Sequence, residues 1–281
     1  MTAFPRPTAA RIAAYRTRSF RTVPEQRVTS LQEAERFVHQ RGYLFFWPPR
    51  KIAFPSLWAA VAGDRHVPNH HDDPGHVTWA WKDSMLPTRR WYYGKLLRGR
   101  AMMVSLSTLP AFYALSSRTG DLDDFIDVYH AGSLPHEAYR VARVILEEGP
   151  QNSIQLRRKA GLSAASAKYP FERALTILQK GLWILPIGVA DAGTWHYAFE
   201  YELLDRWLPD VLEAARCISD TAAREELLKL AFSSLGSTDQ RTLRLLFGWK
   251  KTQLAQTLGT LQAQDYLKWD NEETWWLSRW E

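Results

Sequence analysis

Cysteine is almost missing: Cys217 stands alone in 281 residues, which excludes an intrachain disulfide and a thiolate zinc cluster and fits a reducing, cytoplasmic setting. No apolar run is long enough to cross a bilayer, so no membrane partner is expected. The chain has no Gly-rich phosphate loop, no Gly-x-Ser-x-Gly elbow and no His-Glu-x-x-His pattern, which removes the common sequence signs of P-loop, serine-hydrolase and zinc-peptidase chemistry. No cofactor and no metal are expected. Acids are scarce in two places: residues 1–27 hold Glu25 against six arginines, and Arg89 to Arg100 holds none. Present instead are a formal charge of +6 and thirteen tryptophans. The charge favours a polyanionic partner, and the indoles serve either as core filler or as a surface for stacking bases.

The most patterned stretch runs from Pro135 to Tyr201. A helix from about His136 to Glu147 stops at Gly149-Pro150. Ser153 is placed to cap a second helix ending at Gly161, and a third carries Phe171, Ala174, Leu175, Leu178 and Leu182 at helical spacing, leaving Lys168, Tyr169 and Arg173 outward. Two alternating runs, 183–187 and 195–201, flank Asp191-Ala192-Gly193 as a hairpin. Three helices and a hairpin in this order predict a winged helix, whose third helix commonly enters a DNA major groove. Leu203 to Ile218 is expected as one connecting helix. A second copy follows, with Gly236 and Gly248 repeating the spacing of Gly149 and Gly161, its third helix over Lys251 to Gln264 and an acidic wing tip at Asp270, Glu272 and Glu273. That tip would repel phosphate, so the first copy is the better DNA reader. The fold class is mainly α with small β wings, an α+β chain of tandem winged-helix (helix-turn-helix) domains. The expected divisions are a basic flexible arm at 1–27, a Trp-rich helical domain at 28–132, a winged helix with its connecting helix at 133–212, and a second winged helix at 213–281.

The N-terminal part offers the chemistry. The arm reads as a DNA-contacting tail, a transit peptide or an idle end. Ser30 and Glu33 form a capping-box pattern. His76 to Asp83 alternates like a strand with Trp79 and Trp81 on one face. From Arg89 to Arg100 the bases Arg89, Arg90, Lys95, Arg98 and Arg100 interleave with Trp91, Tyr92 and Tyr93; such a block tracks phosphates and stacks on bases, or it is an amphipathic element with wet charges, and both readings stand. The densest polar cluster is Asn69-His70-His71-Asp72-Asp73 with His66 and His76 nearby. Asp72 or Asp73 could act as a general base oriented by His71. Neighbouring loop residues cannot all reach one metal ion, so polar structure or DNA contact is the plainer role. Asp83 is a second candidate acid, more simply a partner for Lys82.

Pro55-Ser56-Leu57-Trp58, His70-His71-Asp72-Asp73, Thr78-Trp79-Ala80-Trp81-Lys82-Asp83, Tyr92-Tyr93-Gly94-Lys95-Leu96-Leu97-Arg98-Gly99, Val104-Ser105-Leu106 and Phe112-Tyr113-Ala114-Leu115 resemble the AlkZ-like family of tandem winged-helix DNA glycosylases, and within it the AlkZ-related group. The resemblance covers residue 28 to the end. It implies a concave body for double-stranded DNA, excision of alkylated or crosslinked bases by hydrolysis of the glycosidic bond, a role in DNA repair, and no metal. It also exposes a departure. The family's water-holding Gln-x-Gln or Gln-x-Asp pair, laid after Gly42-Tyr43-Leu44, falls on Phe45 and Trp47, whose rings cannot activate water. Either catalysis has moved to residues such as Asp72 or Asp73, or this branch binds DNA without cutting.

The expected DNA contacts are Arg89, Arg90, Lys95, Arg98, Arg100, Lys168, Tyr169, Arg173 and, on the wing, His196, with Trp79, Trp81 and Lys82 beside a flipped or distorted nucleotide. A monomer is expected. The alternative is a winged-helix transcriptional regulator without enzymatic activity; against it, Pro170 is expected to interrupt the third helix where base-reading residues belong. A winged helix that pairs with protein is a third class.

Overall fold

The computed structural model describes residues 6–116 and 118–280. The chain opens with α1 (Ala9–Ser19), α2 (Leu31–Arg41), β1 (Tyr43–Phe45), α3 (Leu57–Ala62), α4 (Val77–Met85), β2 (Trp91–Lys95), β3 (Ala101–Ser105) and α5 (Leu109–Ala114). Then come α6 (Phe125–His130), α7 (His136–Glu148), β4 (Gln151–Asn152), α8 (Ser153–Lys159), α9 (Lys168–Lys180), β5 (Ile184–Ala190) and β6 (Ala198–Leu203). The last part holds α10 (Leu204–Trp207), α11 (Pro209–Arg216), α12 (Asp220–Leu235), β7 (Ser237–Asp239), α13 (Gln240–Phe247), α14 (Lys251–Ala263), β8 (Leu267–Trp269) and β9 (Thr274–Leu277).

The order helix, short strand, helix, helix, two strands occurs twice, from α7 to β6 and from α12 to β9, so the tandem winged-helix reading holds. Each copy closes a three-stranded antiparallel sheet, ordered β4-β6-β5 and β7-β9-β8. The repeated glycines do equivalent work. Gly149 and Gly236 end the first helices, Gly161 and Gly248 follow the second ones, and all four have positive φ, between 65° and 78°, where a β-carbon is disfavoured.

The N-terminal sheet, ordered β1-β3-β2, separates two cores by strand alternation. Leu44, Phe46, Trp91 and Met103 face α2 and α3, while Tyr43, Phe45, Tyr92, Met102 and Val104 join Leu227, Leu228, Phe232, Leu235 and Leu258 of the second winged helix in one core. The first winged helix has a core of its own, around Phe125, Ile145, Leu156, Phe171, Leu178, Ile184 and Tyr201. The N-terminal segment and the second copy, drawn apart on composition, therefore bury their apolar faces together.

Five expectations change. The basic arm is a helix over Ala9–Ser19, docked rather than loose: Tyr15 donates to the Ser233 carbonyl (2.7 Å), Arg16 to those of Leu235 and Ser237 (3.1 and 2.6 Å) and Ser19 to that of Ser234 (2.6 Å). These donors satisfy the last carbonyls of α12 and put a cation at its negative end. The stretch from Val77 is helix, not strand, because Thr78, Lys82 and Met85 are its buried positions; a run of nine residues fits period 2 and period 3.6 alike. The cap of α8 is Asn152, whose side chain accepts from the amides of Ile154 and Gln155. The connecting helix breaks at Leu208 into α10 and α11, with Pro209 opening the latter. Pro170 lies in the first turn of α9, where a missing N–H leaves no bond unmade, so it interrupts nothing.

The first winged helix is tied to the rest by a buried cation. Arg118 donates to Asp124 (2.9 and 2.7 Å), to the Leu182 carbonyl (2.6 Å) and to Asp205, and its side chain and those of both acids are at most 4% exposed. The Trp183 indole donates to the same Asp124 (2.8 Å). Arg118→Ala is expected to cost about 3–5 kcal/mol in urea unfolding, since it strands two buried carboxylates. Arg143→Ala, which removes a half-exposed pair with Glu147 on α7, should stay within about 1 kcal/mol.

Candidate nucleic-acid interface

A strongly basic concavity belongs to the first winged helix. A groove of about 830 Å³ runs between α8, α9 and the wing. Phe171, Leu175, Phe199 and Tyr201 give it an apolar floor, and Lys95, Arg157, Arg158, Lys168 and Arg173 line it with one acid, Glu172. Tyr169 stands at its edge, 73% exposed. Lys95 reaches it from β2: its amide donates to Gln179 (3.1 Å) and its ammonium to Thr176 (3.2 Å), both on α9. Burial pushes the Lys95 ammonium down and Glu172 partly restores it. Gly193 at the wing tip lies against Ile154 of the groove wall, so the tip borders the groove. It carries Trp195, 88% exposed, and His196, paired with Asp191 (2.7 Å).

Of the expected contacts, the groove brings together Lys95, Lys168, Tyr169 and Arg173, with His196 at its margin. It adds Arg157 and Arg158, whose signal in the sequence is the Arg-Arg-Lys run in a short helix-turn-helix helix. Arg157 is committed to the carbonyls of Leu162 and Ala164 (both 2.7 Å), which leaves Arg158 as the freer charge.

The rest of the basic block scatters. Arg89 lies 4.1 Å above the Trp207 ring, Arg90 pairs with Glu35, Arg98 lines a cleft against α13, and Arg100 lines another beside Arg50 and Arg65. Two breaks divide the block: Arg89 has a positive φ before β2, and a tight turn around Arg98 and Gly99, also at positive φ, reverses the chain between β2 and β3.

Lys82 is the clearest correction. It is no surface base: its side chain is 6% exposed and sits among Phe46, Tyr93, Tyr197 and Phe199, with Phe199 4.5 Å from the ammonium. It donates to the Tyr197 hydroxyl (2.7 Å) and pairs with Asp83 (2.7 Å), and Tyr197 donates to Asp83 (2.8 Å). Burial pushes the ammonium down while Asp83 holds it up. Burial also raises the Tyr197 phenol, with the Asp83 carboxylate adding to it. The triad fastens the first wing to α4. Trp81 is half-buried beside the same core.

The candidate catalytic residues lie elsewhere. Asp73 gives both oxygens to Arg65 (2.7 and 2.9 Å) and caps the turn at Gly75 (2.8 Å); the Arg65 bond holds its carboxyl below the usual range. Asp72 is exposed and meets His70 (3.0 Å), and its own backbone amide followed by His70 lowers its carboxyl. Neither is poised as a base near neutrality. His71 leans on Trp79, which is stacked with His76 at 5.4 Å and edge-on to Trp47 at 5.9 Å. Phe45 is buried at 1% exposure. Among the described residues no group of three or more His, Cys, Asp and Glu could hold a metal ion, and no helix is long and apolar enough to cross a membrane.

A family model described as AlkZ related matches residues 28–248. Among solved structures, Streptomyces sahachiroi DNA glycosylase AlkZ is similar, with a TM-score of 0.60 and 14% identity over 97% of this chain and 70% of that one. At that identity the likeness speaks for the fold. No curated protein matches.

Asp83→Asn should destabilise the protein by about 1–3 kcal/mol near neutral pH, because it leaves a buried ammonium without its counter-ion. With its folded-state pKa depressed further below the unfolded value, Lys82 binds its proton less tightly in the folded state. The destabilisation should therefore be full at neutral pH and shrink as pH rises through the folded pKa. Urea midpoints of wild type and variant across an alkaline series check this; a constant difference would contradict it.

Proposed function

Because the chain belongs to the AlkZ-related family, we propose that it is a double-stranded DNA-binding protein of DNA repair, glycosylase-like in descent, that holds duplex in the groove of its first winged helix. The observation that carries this reading is the groove itself: Lys95, Arg158, Lys168 and Arg173 against the single acid Glu172, with Tyr169 and the wing-tip Trp195 exposed at its borders. Bases positioned along a concave surface neutralise phosphates and release counterions, and exposed rings stack on whatever base is distorted enough to be reached. The second copy is a poorer candidate, since Asp270, Glu272 and Glu273 sit on its wing.

We further propose that binding here is uncoupled from base excision by the family's polar pair. Phe45 is core, Trp47 is part of an indole–imidazole cluster, and Asp73 is committed to Arg65. A regulator that reads one operator is the second reading, favoured by one observation: with Pro170 in its first turn, α9 is continuous and presents Lys168, Tyr169 and Arg173 outward.

Fluorescence anisotropy on a random duplex at low salt should give salt-steep binding. Arg158→Ala with Lys168→Ala and Arg173→Ala should weaken it and reduce the salt slope by roughly 0.9 for each phosphate that is no longer neutralised. Absence of binding at micromolar protein would end the proposal, and a salt-resistant preference for one sequence would select the regulator. Single-turnover incubation with alkylated duplex should leave it intact. Abasic product that disappears in an Asp72→Asn, Asp73→Asn double variant would restore excision.

A further inference from the structure

A second concavity is independent of the DNA groove. A cleft of about 580 Å³ opens between the end of α1, the segment 21–27 and α2. Four arginines line it, Arg18, Arg21, Arg27 and Arg41, against Glu25 and Glu33. Glu33 is already engaged, accepting from the Thr29 amide (2.8 Å) and hydroxyl (2.9 Å). The cleft is net positive.

Arg21, Arg27 and Arg41 are held in place, while Arg18 is exposed. Arg21 sits on left-handed backbone at φ 56°, lies 5.2 Å over the Phe37 ring and donates to Gln40 (2.8 Å). Such backbone is costly for a residue with a side chain and recurs where geometry serves a ligand. Arg27 occupies the space a β-carbon on Gly63 would fill, and its Nε is buried without a hydrogen-bond partner. Arg41 anchors one N–H on the Ser233 carbonyl (2.9 Å); burial pushes its guanidinium down, and the charge of Arg21 adds to that. The guanidiniums of Arg21 and Arg41 repel each other across this space, a standing cost that an anion between them would relieve.

We propose that this cleft is a binding site for a phosphomonoester, gripped by Arg18, Arg21 and Arg27. The planar fork of arginine matches phosphate oxygens, two oxygens to a guanidinium. The volume exceeds a bare phosphate and leaves room for the group it is attached to. A free mononucleotide and the phosphorylated end of a DNA strand share this chemistry.

The test uses the full chain and inorganic phosphate as probe, followed by thermal unfolding and calorimetric titration with chloride at matched ionic strength as control. Phosphate should raise the melting temperature saturably, as a ligand of the folded state does, and chloride should not. Arg18 has no hydrogen bond or ion pair among the described residues, so Arg18→Gln should melt as the wild type does and bind phosphate about ten-fold more weakly, as expected when one charge-assisted hydrogen bond is removed. Arg21→Gln should weaken it at least as much, and Arg173→Ala, in the DNA groove, should leave it unchanged. Equal response to phosphate and chloride, or unchanged phosphate affinity in Arg18→Gln and Arg21→Gln, would overturn the site. Displacement of phosphate by a mononucleotide assigns the free ligand, and displacement only by a 5′-phosphorylated oligonucleotide assigns a strand end. Failure of both rejects the phosphomonoester.

Discussion

The Arg118 guanidinium is the contact on which the placement of the first winged helix depends. It binds the start of α6 through Asp124, the turn before β5 through Leu182 and the helix after the wing through Asp205, so one side chain fixes where that unit enters, turns and leaves. A buried ion network of this kind adds little net stability compared with apolar packing, but its geometry admits few alternatives. Around it the first winged helix has its own core, while the N-terminal sheet shares one with the second copy. Leu182, Leu185, Ile187 and Leu204 carry the shared core into the first winged helix, so the guanidinium orients a junction that is also packed by apolar side chains.

That division orients the candidate interface. α9 meets the N-terminal sheet through Lys95, Thr176 and Gln179, and the wing meets α4 through Lys82, Asp83 and Tyr197. Both junctions centre on a lysine, the second one enclosed by aromatic rings, and both lie beside the basic groove. They form the rim of the groove, with Lys95 contributed by the N-terminal sheet and Arg158, Lys168 and Arg173 by the first winged helix.

Legible in the sequence is whatever depends on local rules. The glycines after the first two helices of each copy need positive φ, Ser30 caps α2, and the apolar spacing of α9 marks its inner face; neighbours within a few residues decide all of these. α4 escapes such a reading because nine residues do not separate two periods. Lys82 escapes it for a different reason: a lysine beside Trp81 looks wet until Tyr197 and Phe199 arrive from 115 or more residues away. Arg118 is the same case, with partners 64 and 87 residues on at Leu182 and Asp205, and the scatter of Arg98 and Arg100 follows from a turn whose direction no periodicity encodes.

The docking of α1 on the end of α12 has a consequence for how the chain folds. Tyr15, Arg16 and Ser19 take their partners from Ser233 to Ser237, with sequence separations of 215 to 221. During synthesis the arginine-rich segment leaves the ribosome well before those carbonyls exist. An eleven-residue helix with no buried residue of its own is marginal alone, so α1 forms late, as a clasp closed when the last third of the chain has packed. Until then it is a free polycation, open to chaperones, proteases and nucleic acid alike.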